Sequence, residues 1–169
     1  AAPAGTPVEA LLSYSIDTGI KPITASSGPD GRLRNRTGKL DERTMVVEDG
    51  RPLIDGLSLD REGFELVRHD TEMQDFYDPE ELKRVYFPAE EAEALLKKRM
   101  AVIQVWRPIR GTVLSAPLAI CDARSMAPGD LIAAERHHKD RIGEIYHIKH
   151  NPAHRWYWFP KMERHEALV

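Results

Sequence analysis

The sequence predicts an α+β protein that is mainly β, with its strands concentrated in the second half of the chain. Apolar runs at residues 100–108 and 116–125 and an aromatic segment at 143–159 are separated by short polar connections. The two clear helical patterns both fall within residues 78–99. Because these strands follow one another without intervening helices, we expect a sandwich or barrel rather than alternating β and α units.

Composition narrows the class of protein. The 169 residues suit one ordinary domain, and 41% hydrophobic residues are enough to build a core. A net charge of −3 offers no basic excess for nucleic acid. A single cysteine, Cys121, excludes an internal disulfide. No apolar run approaches the roughly 18 residues of a membrane span, and the first residues lack the pattern of a secretory signal. We therefore expect a cytoplasmic protein without a membrane partner.

The first half of the chain predicts strands separated by a long loop. Residues 8–16 form a short ordered entry segment, and residues 17–43, rich in Gly, Pro, Ser and Thr, are predicted to be loop. Residues 44–54 are typical of a strand, an Asp-Gly turn and the start of a second strand. Residues 64–70 predict another strand.

Two helices are predicted in the acidic middle of the chain. The first covers residues 78–87, with Asp78 as N-cap and Pro79 at the first helical position. Pro88 ends it. The second covers residues 89–99, which are acidic at the start and basic at the end, as the helix dipole favours.

The second half predicts a series of strands. Residues 100–108 form a continuous apolar run, which indicates a strand buried on both faces. Residues 116–125 predict another strand, and residues 130–138 fit either a short helix or a strand. Residues 143–150 and 154–159 predict two more strands, which an Asn-Pro turn divides.

The aromatic segment carries the strongest candidate site. On an extended chain with period two, His154, Trp156 and Trp158 share one face, whereas Arg155 and Tyr157 share the other. We expect the histidine face to point into the β-structure, where a dry pocket could hold a metal ligand or a catalytic base. The alternative is a buried aromatic strand in which the histidine is merely hydrogen-bonded in the core.

A zinc site formed by three nearby histidines is a weaker hypothesis. His147, His150 and His154 are close in sequence. However, His147 lies on the opposite strand face from His150, and Pro152 interrupts the strand. The three imidazoles would converge only through an unusual bend.

Two other patterns are interpreted as structural. His138 and Asp140 have the H-x-D spacing of a non-haem iron site, but they lie in a charged run that favours a solvated turn. Cys121, inside an apolar run, is expected to be a small buried residue rather than a nucleophile. The sequence contains neither a glycine-rich phosphate loop nor a G-x-S-x-G motif.

Four blocks carry a resemblance to a known family. They are EGFELVRHDTEMQDFYD, VIQVWRPIRG, APLAICDARSMAPGDLIAAE and GEIYHIKHNPAHRWYWFPKM. These blocks resemble the AsaB/CmcJ-like hydroxylases and desaturases, a group related to the cephamycin methoxylase. The resemblance implies a double-stranded β-helix (jelly-roll) core with flanking helices. It also implies an Fe(II)- and 2-oxoglutarate-dependent oxygenase that acts on a small secondary-metabolite-like molecule.

The resemblance also implies roles for three residues. His154 would be a ligand of the iron. A basic residue would pair with the distal carboxylate of 2-oxoglutarate, because arginine offers a two-pronged charged hydrogen bond. Arg164, ten residues after His154, is the first candidate, and Arg107, at the end of an apolar run, is the second.

The chain departs from the family pattern near residues 88–91. Relatives carry there a strand with an H-x-D motif, which supplies the first two iron ligands, and they continue with a further C-terminal strand. We therefore expect residues 1–169 to form a single domain that lacks both segments. The alternative function is a non-catalytic protein that binds a small molecule or a partner in a jelly-roll cavity without iron. The oligomeric state stays open.

Overall fold

The computed structural model describes residues 5–26, 33–86, 103–138 and 141–169. The chain divides into two compact units. The sheet unit comprises the described residues up to 50 together with residues 119–158. The helix unit comprises the described residues between 51 and 118 together with residues 159–169.

The described residues form ten strands and one α-helix, which confirms the prediction of a mainly β protein with few helices. The strands are β1 Val8–Ile16, β2 Ile23–Ser26, β3 Leu33–Arg36, β4 Lys39–Asp49, β5 Leu66–Arg68, β6 Ala119–Cys121, β7 Leu131–His137, β8 Ile142–Ile148, β9 Trp156–Trp158 and β10 Glu166–Leu168. The helix α1 covers Pro79–Tyr86, and short 3-10 helices cover Arg51–Gly56, Ala123–Ser125 and Pro128–Asp130. No helix in this part of the chain is long and apolar enough to cross a membrane.

The sheet unit contains two four-stranded sheets. In one sheet the strand order is β1-β4-β9-β6, and in the other it is β3-β2-β7-β8. Strand β9 lies between β4, to which it is parallel, and β6, to which it is antiparallel. The Ser15 hydroxyl on β1 lies 3.1 Å from Nδ1 of His147 on β8, so a polar contact joins the two sheets. The first sheet thus places β9, the last part of the aromatic segment, between two partner strands, whereas β8, its first part, belongs to the second sheet.

The helix unit is held together by one strand pair and by side-chain anchors. Strand β5 pairs antiparallel with β10. The Arg51 guanidinium donates to the Glu166 carboxylate and, over 3.0 Å, to the Pro160 carbonyl. At the start of α1 the Asp78 carboxylate accepts a hydrogen bond of 2.9 Å from the backbone N–H of Glu80, which confirms the predicted N-cap.

Two predictions about the first half were wrong. Residues 17–43 were predicted to be loop, but they contain β2, β3 and the start of β4. Pairing of β2 with β3 and β7 stabilises these strands, because partner strands outweigh weak local propensity. After β4 the chain forms the 3-10 helix Arg51–Gly56 instead of a second strand. Pro52 has no N–H to donate to a strand ladder, which explains the difference.

The apolar run near residue 103 was also predicted incorrectly. Its described residues contribute only an isolated bridge from Trp106 to Leu168. Ile103 and Val105 are 56% and 58% exposed, so a strand buried on both faces is excluded there. An apolar run in the sequence does not indicate which neighbouring segments cover it in the fold. The predicted second helix at 89–99 lies outside the described residues.

The predictions for the remaining strands largely agree with the structure. The segment at 130–138, left open between helix and strand, is strand β7. The two strands on either side of the Asn-Pro turn are β8 and β9. The segment at 116–125 is shorter than expected, because Asp122 caps a 3-10 helix directly after β6.

Candidate functional site

The local fold around His154 fixes its backbone before β9 begins. The His154 N–H donates to the Asn151 carbonyl over 3.1 Å, and the Ala153 N–H donates to the Asn151 side-chain oxygen over 3.0 Å. Asn151 therefore stabilises a turn through these hydrogen bonds. Pro152 lacks an N–H group, so the turn cannot continue as a regular strand. The turn delivers His154 to the interior of the sheet unit, where the residue is 5% exposed.

Asp130 holds the imidazole from one side. Its Oδ2 lies 3.1 Å from His154 Nε2. The same oxygen accepts hydrogen bonds of 2.9 Å from the Ala127 N–H and from the Asn151 side-chain amide. These two hydrogen bonds, from Ala127 first, hold the pKa of the Asp130 carboxyl below its usual value, although burial acts against them.

Tyr14 forms an aromatic wall beside the imidazole. Its ring stacks on His154, with 5.8 Å between centroids and 20° between planes. The Tyr14 oxygen accepts a hydrogen bond of 2.8 Å from Trp156 Nε1, and the His150 ring meets the Tyr14 ring edge-on. Burial raises the pKa of the Tyr14 hydroxyl. The His154 ring is thus fixed by a carboxylate on one edge and by a phenol ring on one face.

Two ring nitrogens in this region are buried without a hydrogen-bond partner among the described residues. They are Nδ1 of His154 and Nε1 of Trp158. A buried polar atom without a partner costs free energy of roughly 1–3 kcal/mol. His154 Nδ1 is therefore a position at which a ligand or metal ion would remove a penalty.

The predicted alternation along β9 agrees with these contacts only in part. His154 and Trp156 both contact Tyr14, as expected for one shared face. However, His154 precedes the strand instead of belonging to it. Tyr157 is 4% exposed, so both faces of β9 are covered. The central position of β9 in its sheet accounts for this burial.

The three nearby histidines do not form a metal site. His147 Nδ1 lies 3.1 Å from the Ser15 hydroxyl oxygen, and burial lowers the pKa of the His147 imidazole. Within the part of the chain that the structure describes, no group of three His, Cys, Asp or Glu could hold a metal ion. Asp140 lies outside the described residues, so the H-x-D pair at 138–140 cannot be placed.

Arg164 lies in the helix unit and lines a pocket. Its guanidinium donates to the Met73 carbonyl and lies 5.9 Å from the Phe76 ring centroid. The pocket has a volume of about 200 Å³ and opens to solvent. Its lining residues are Asp70, Thr71, Arg164 and His165.

Arg107, in the same unit, is more completely enclosed. Its Nη2 donates to the His69 carbonyl and lies 3.1 Å from His69 Nδ1. Its Nε and Nη1 are buried without a hydrogen-bond partner among the described residues. A guanidinium has five N–H donors, and in Arg107 two of its three nitrogens have no partner among the described residues.

Sequence reasoning missed the groups that position the candidate histidine. Asp130 ends a Pro-Gly turn, and Tyr14 lies on β1, far away in sequence. The fully buried Asp122 carboxylate accepts one hydrogen bond of 2.8 Å from the Arg124 guanidinium and one of 2.6 Å from the Arg155 guanidinium. No local pattern indicates the pairing of His154 with Asp130 or Tyr14, or that of Asp122 with Arg155, because the partners are distant in sequence.

Comparison with known proteins identifies the family of the chain. A family model described as "Oxidoreductase/YMDC permease-like domain" matches residues 12–92 and 88–169. The hydroxylase/desaturase asaB of Aspergillus flavus is 30% identical over 144 residues, covering 77% of this chain and 63% of the relative. The aspirochlorine biosynthesis protein N of Aspergillus oryzae is 36% identical over 90 residues, covering 52% of this chain and 38% of the relative.

The chain also resembles a third relative and a solved structure. The Fe(II)/2-oxoglutarate-dependent dioxygenase nvfI of Aspergillus novofumigatus is 30% identical over 82 residues, covering 47% of this chain and 30% of the relative. A tryptophan-to-phenylalanine variant of the iron and alpha-ketoglutarate-dependent endoperoxidase NvfI has a similar fold, with a TM-score of 0.72 at 17% identity, covering 99% of this chain and 84% of that one.

The chain spans less than two thirds of the length of these three curated relatives, 63% at most. The family model nevertheless matches most of the chain, in the two stretches given above. The chain therefore belongs to the family of the oxidoreductase/YMDC permease-like domain, and its resemblance to the AsaB/CmcJ-like hydroxylases and desaturases is confirmed.

Proposed function

We propose that the chain belongs to an Fe(II)- and 2-oxoglutarate-dependent oxygenase that hydroxylates or desaturates a small secondary-metabolite-like molecule. The names of the relatives support this activity. The observation that carries it in the structure is His154, a buried and rigidly held histidine with one ring nitrogen that has no hydrogen-bond partner among the described residues. Such a nitrogen suits a metal ligand.

The described residues fit one ligand position of the iron site. A non-haem iron site takes two histidines and one carboxylate, and His154 can supply one of the histidines. The described part of the chain contains no cluster that could supply all three ligands. Bound Fe(II) would supply the oxygen chemistry that amino-acid side chains lack. The protein would contribute the fixed orientation of His154.

For 2-oxoglutarate, the contacts favour Arg107 over Arg164. Both guanidinium groups donate to a backbone carbonyl. Arg107, however, has two buried nitrogens without partners among the described residues, whereas Arg164 borders an open pocket. A buried cation gains more from a carboxylate than an exposed one, because water screens it less. Arg164 remains the alternative binding residue.

The jelly-roll core and the missing segment are part of the same proposal. Two four-stranded sheets in one unit and the likeness to NvfI support a double-stranded β-helix. The family model matches in two stretches that overlap at residues 88–92. We also propose that residues 1–169 form a single domain that lacks a family segment near 88–91. The proposed protein is cytoplasmic and binds a small-molecule substrate.

The second candidate function is a binding protein without iron. The observation that favours it is the absence of a three-residue metal cluster in the described ranges, despite the well-ordered surroundings of His154. Such a protein would bind a small molecule in its β-structure without oxidising it. Metal content separates the two candidates.

The test uses the full chain, purified without oxygen and mixed with Fe(II) and 2-oxoglutarate. The oxygenase should show a weak visible metal-to-ligand charge-transfer band and should convert 2-oxoglutarate to succinate when O₂ is added. His154→Ala should abolish both, because one ligand is lost. His137→Ala serves as the matched control, since His137 pairs with Glu135 away from this cluster. A wild-type protein without band and without metal by elemental analysis would favour the binding protein.

A further inference from the structure

The sheet β3-β2-β7-β8 carries opposite charges on its two faces. Glu135 of β7 pairs directly with Glu144 of β8, and the next pair along is Arg136 with Gly143. Successive residues of a strand point to opposite faces, whereas directly paired residues share one face. The two carboxylates therefore lie on one side of the sheet and Arg136 on the other. We call the side with Arg136 the arginine face; the Lys21 ammonium lies on the opposite side, 3.0 Å from Glu144 Oε2.

A second arginine lies in the same row of the arginine face. Arg36 of β3 pairs with Thr24 of β2, and Thr24 pairs in turn with Arg136. The two arginines thus flank Thr24 with Cα atoms about 10 Å apart, twice the strand spacing of roughly 4.8 Å. Thr24 is 6% exposed, whereas both arginines are exposed. No carboxylate in the ranges that the structure describes forms an ion pair with either arginine.

A contact with β1 holds the Arg36 guanidinium in place. Its Nη2 donates to the Ser15 hydroxyl oxygen over 3.2 Å, and this oxygen lies 3.1 Å from His147 Nδ1. Ser15 is 5% exposed, and its hydroxyl hydrogen has no other acceptor among the described residues. Because a buried hydroxyl without an acceptor is costly, the Ser15 O–H donates to Nδ1. The hydrogen of a neutral His147 then lies on Nε2.

His147 adds a further donor to the arginine face. It lies four residues after Gly143 on β8, so the two residues share one face. Burial first, and the charge of Arg36 second, lower the pKa of the His147 imidazole, which favours the neutral ring. The arginine face therefore presents two guanidinium groups and one imidazole N–H, all of which are hydrogen-bond donors.

Gly143 leaves room beside these donors. It is the direct partner of Arg136 in the sheet. A Cβ atom built on Gly143 would meet no described atom within 4 Å outside the neighbouring residues. A small ligand can therefore approach Arg136 at this end of the row.

The arginine face adjoins the surroundings of the candidate iron ligand. Ser15 directly follows Tyr14 on β1. The Tyr14 ring stacks on His154, with 5.8 Å between centroids. Ser15 and Tyr14 are both buried, so both sides of β1 are covered at this point. A molecule anchored through Arg36 and Ser15 would therefore lie next to the strand that carries the aromatic wall of His154.

We propose that Arg36, Arg136 and His147 form a binding site for an anionic group of the small-molecule substrate, a carboxylate or a phosphate. The forked donors of arginine match the oxygens of both groups. The His147 N–H adds a neutral donor of fixed direction, because Ser15 sets its tautomer. This inference rests on the proposed function only in calling the ligand a substrate, since anion binding itself needs no iron.

The test titrates the full chain, without metal and without O₂, with benzoate, with phenyl phosphate and with benzamide, the uncharged analogue of benzoate. Nitrogen NMR on protein with ¹⁵N-labelled histidine and arginine records binding, and the His147 signals are assigned by their loss in His147→Gln. We expect the Nε2–H pattern in the free wild type. At least one anion should give saturable shifts of the His147 and arginine side-chain signals, and benzamide should give none. The tighter anion identifies the ligand as a carboxylate or a phosphate.

Variants locate the binding on the arginine face. Arg36→Gln and Arg136→Gln should each weaken anion binding by about tenfold or more, the effect of losing one charged hydrogen bond. Lys21→Gln is the matched control, because it removes the same charge from the opposite side of the sheet, and it should leave the affinity unchanged. Gly143→Val removes no charge but fills the space beside Arg136, so it should weaken binding as well. The exposure of both arginines keeps these substitutions compatible with folding.

The outcomes separate this inference from the proposed function. Saturable anion binding that is lost in the arginine variants supports the anion site, even if the wild type shows no iron-dependent turnover, a result that would remove support for the oxygenase alone. No saturable binding of either anion would overturn the inference, even if the protein converts 2-oxoglutarate. Equal binding of benzamide, an equal loss in Lys21→Gln, or an Nδ1–H tautomer in the free wild type would overturn it as well.

Discussion

In the sheet unit His154 is held by side chains that belong to different strands and turns, whereas in the helix unit Arg107 and Arg164 are held mainly through backbone carbonyls. The imidazole has a carboxylate on one edge and a phenol ring on one face. Each arginine donates through Nη2 to one carbonyl, of His69 or of Met73. The histidine is thus restrained from two directions, and each guanidinium is tethered at one end.

This difference suits different chemical tasks. A metal ligand must keep its lone pair within a narrow range of directions, so its neighbours must lock the ring. An arginine that binds a flexible dicarboxylate can adjust along its side chain, provided that some N–H donors stay available. We therefore expect substitutions around His154 both to lower the free energy of unfolding and to disturb the orientation of the imidazole ring. Substitutions of the arginines should mainly reduce binding.

The largest expected effect is at Tyr14, which is 1% exposed. Tyr14→Ala should lower the free energy of unfolding by about 3–5 kcal/mol, because it leaves a large cavity. Tyr14→Phe should lower it by about 1–2 kcal/mol, since Trp156 Nε1 loses its acceptor. Urea unfolding followed by tryptophan fluorescence measures both.

Leu11→Ala, on the same strand but 63% exposed, is the control and should change stability by about 0.5 kcal/mol or less. Equal losses at both positions would show that Tyr14 does not lock the site.

The next effect concerns Arg107. Arg107→Met should weaken 2-oxoglutarate binding by about 10–100-fold, which corresponds to one charged hydrogen-bonded contact of roughly 1.5–3 kcal/mol. Arg164→Met should change it far less, because Arg164 borders an open pocket. Calorimetric titration with 2-oxoglutarate, in the presence of Fe(II) and without O₂, compares the two variants. A larger loss in Arg164→Met would reverse the assignment.

The two regions also differ in how well the sequence predicted them. Alternation and aromatic content located the strands around the Asn-Pro turn, and they singled out His154 as buried. The apolar run at 103–106 was misinterpreted, because apolar composition does not determine whether a partner strand covers it. The 17–43 segment was misinterpreted for the opposite reason, since distant strands stabilise a polar sequence.

The positioning groups escaped prediction because they are defined by contacts over long sequence separations. Tyr14 and Trp156 are joined only when β1 and β9 belong to one sheet. Asp130 and His154 meet only when the turn before β7 and the turn before β9 lie side by side. A pattern of period two records which face a side chain occupies, but it contains no information about the partner opposite.

The smallest expected effect tests the anchor of the helix unit. The Arg51 guanidinium first, and then the Glu163 N–H, hold the pKa of the Glu166 carboxyl below its usual value, against the effect of burial. A lowered folded-state pKa stabilises the protein above the unfolded-state value of about 4.3, and this contribution is lost as the pH falls through the folded-state pKa. Glu166→Gln keeps the shape and removes the charge. It should therefore reduce the free energy of unfolding by about 1 kcal/mol at pH 7 and by progressively less below pH of about 4.

Urea unfolding at a series of pH values measures this difference. Glu163→Gln is the control, because Glu163 lies in the same segment with a side chain that is 56% exposed. Its effect should stay within about 0.5 kcal/mol at every pH. A wild-type-minus-variant difference for Glu166→Gln that grows as the pH falls would have the wrong sign for a carboxylate paired with Arg51. The helix unit would then owe its stability to the β5-β10 pair and to the Arg51 bond with the Pro160 carbonyl, both of which are independent of pH in this range.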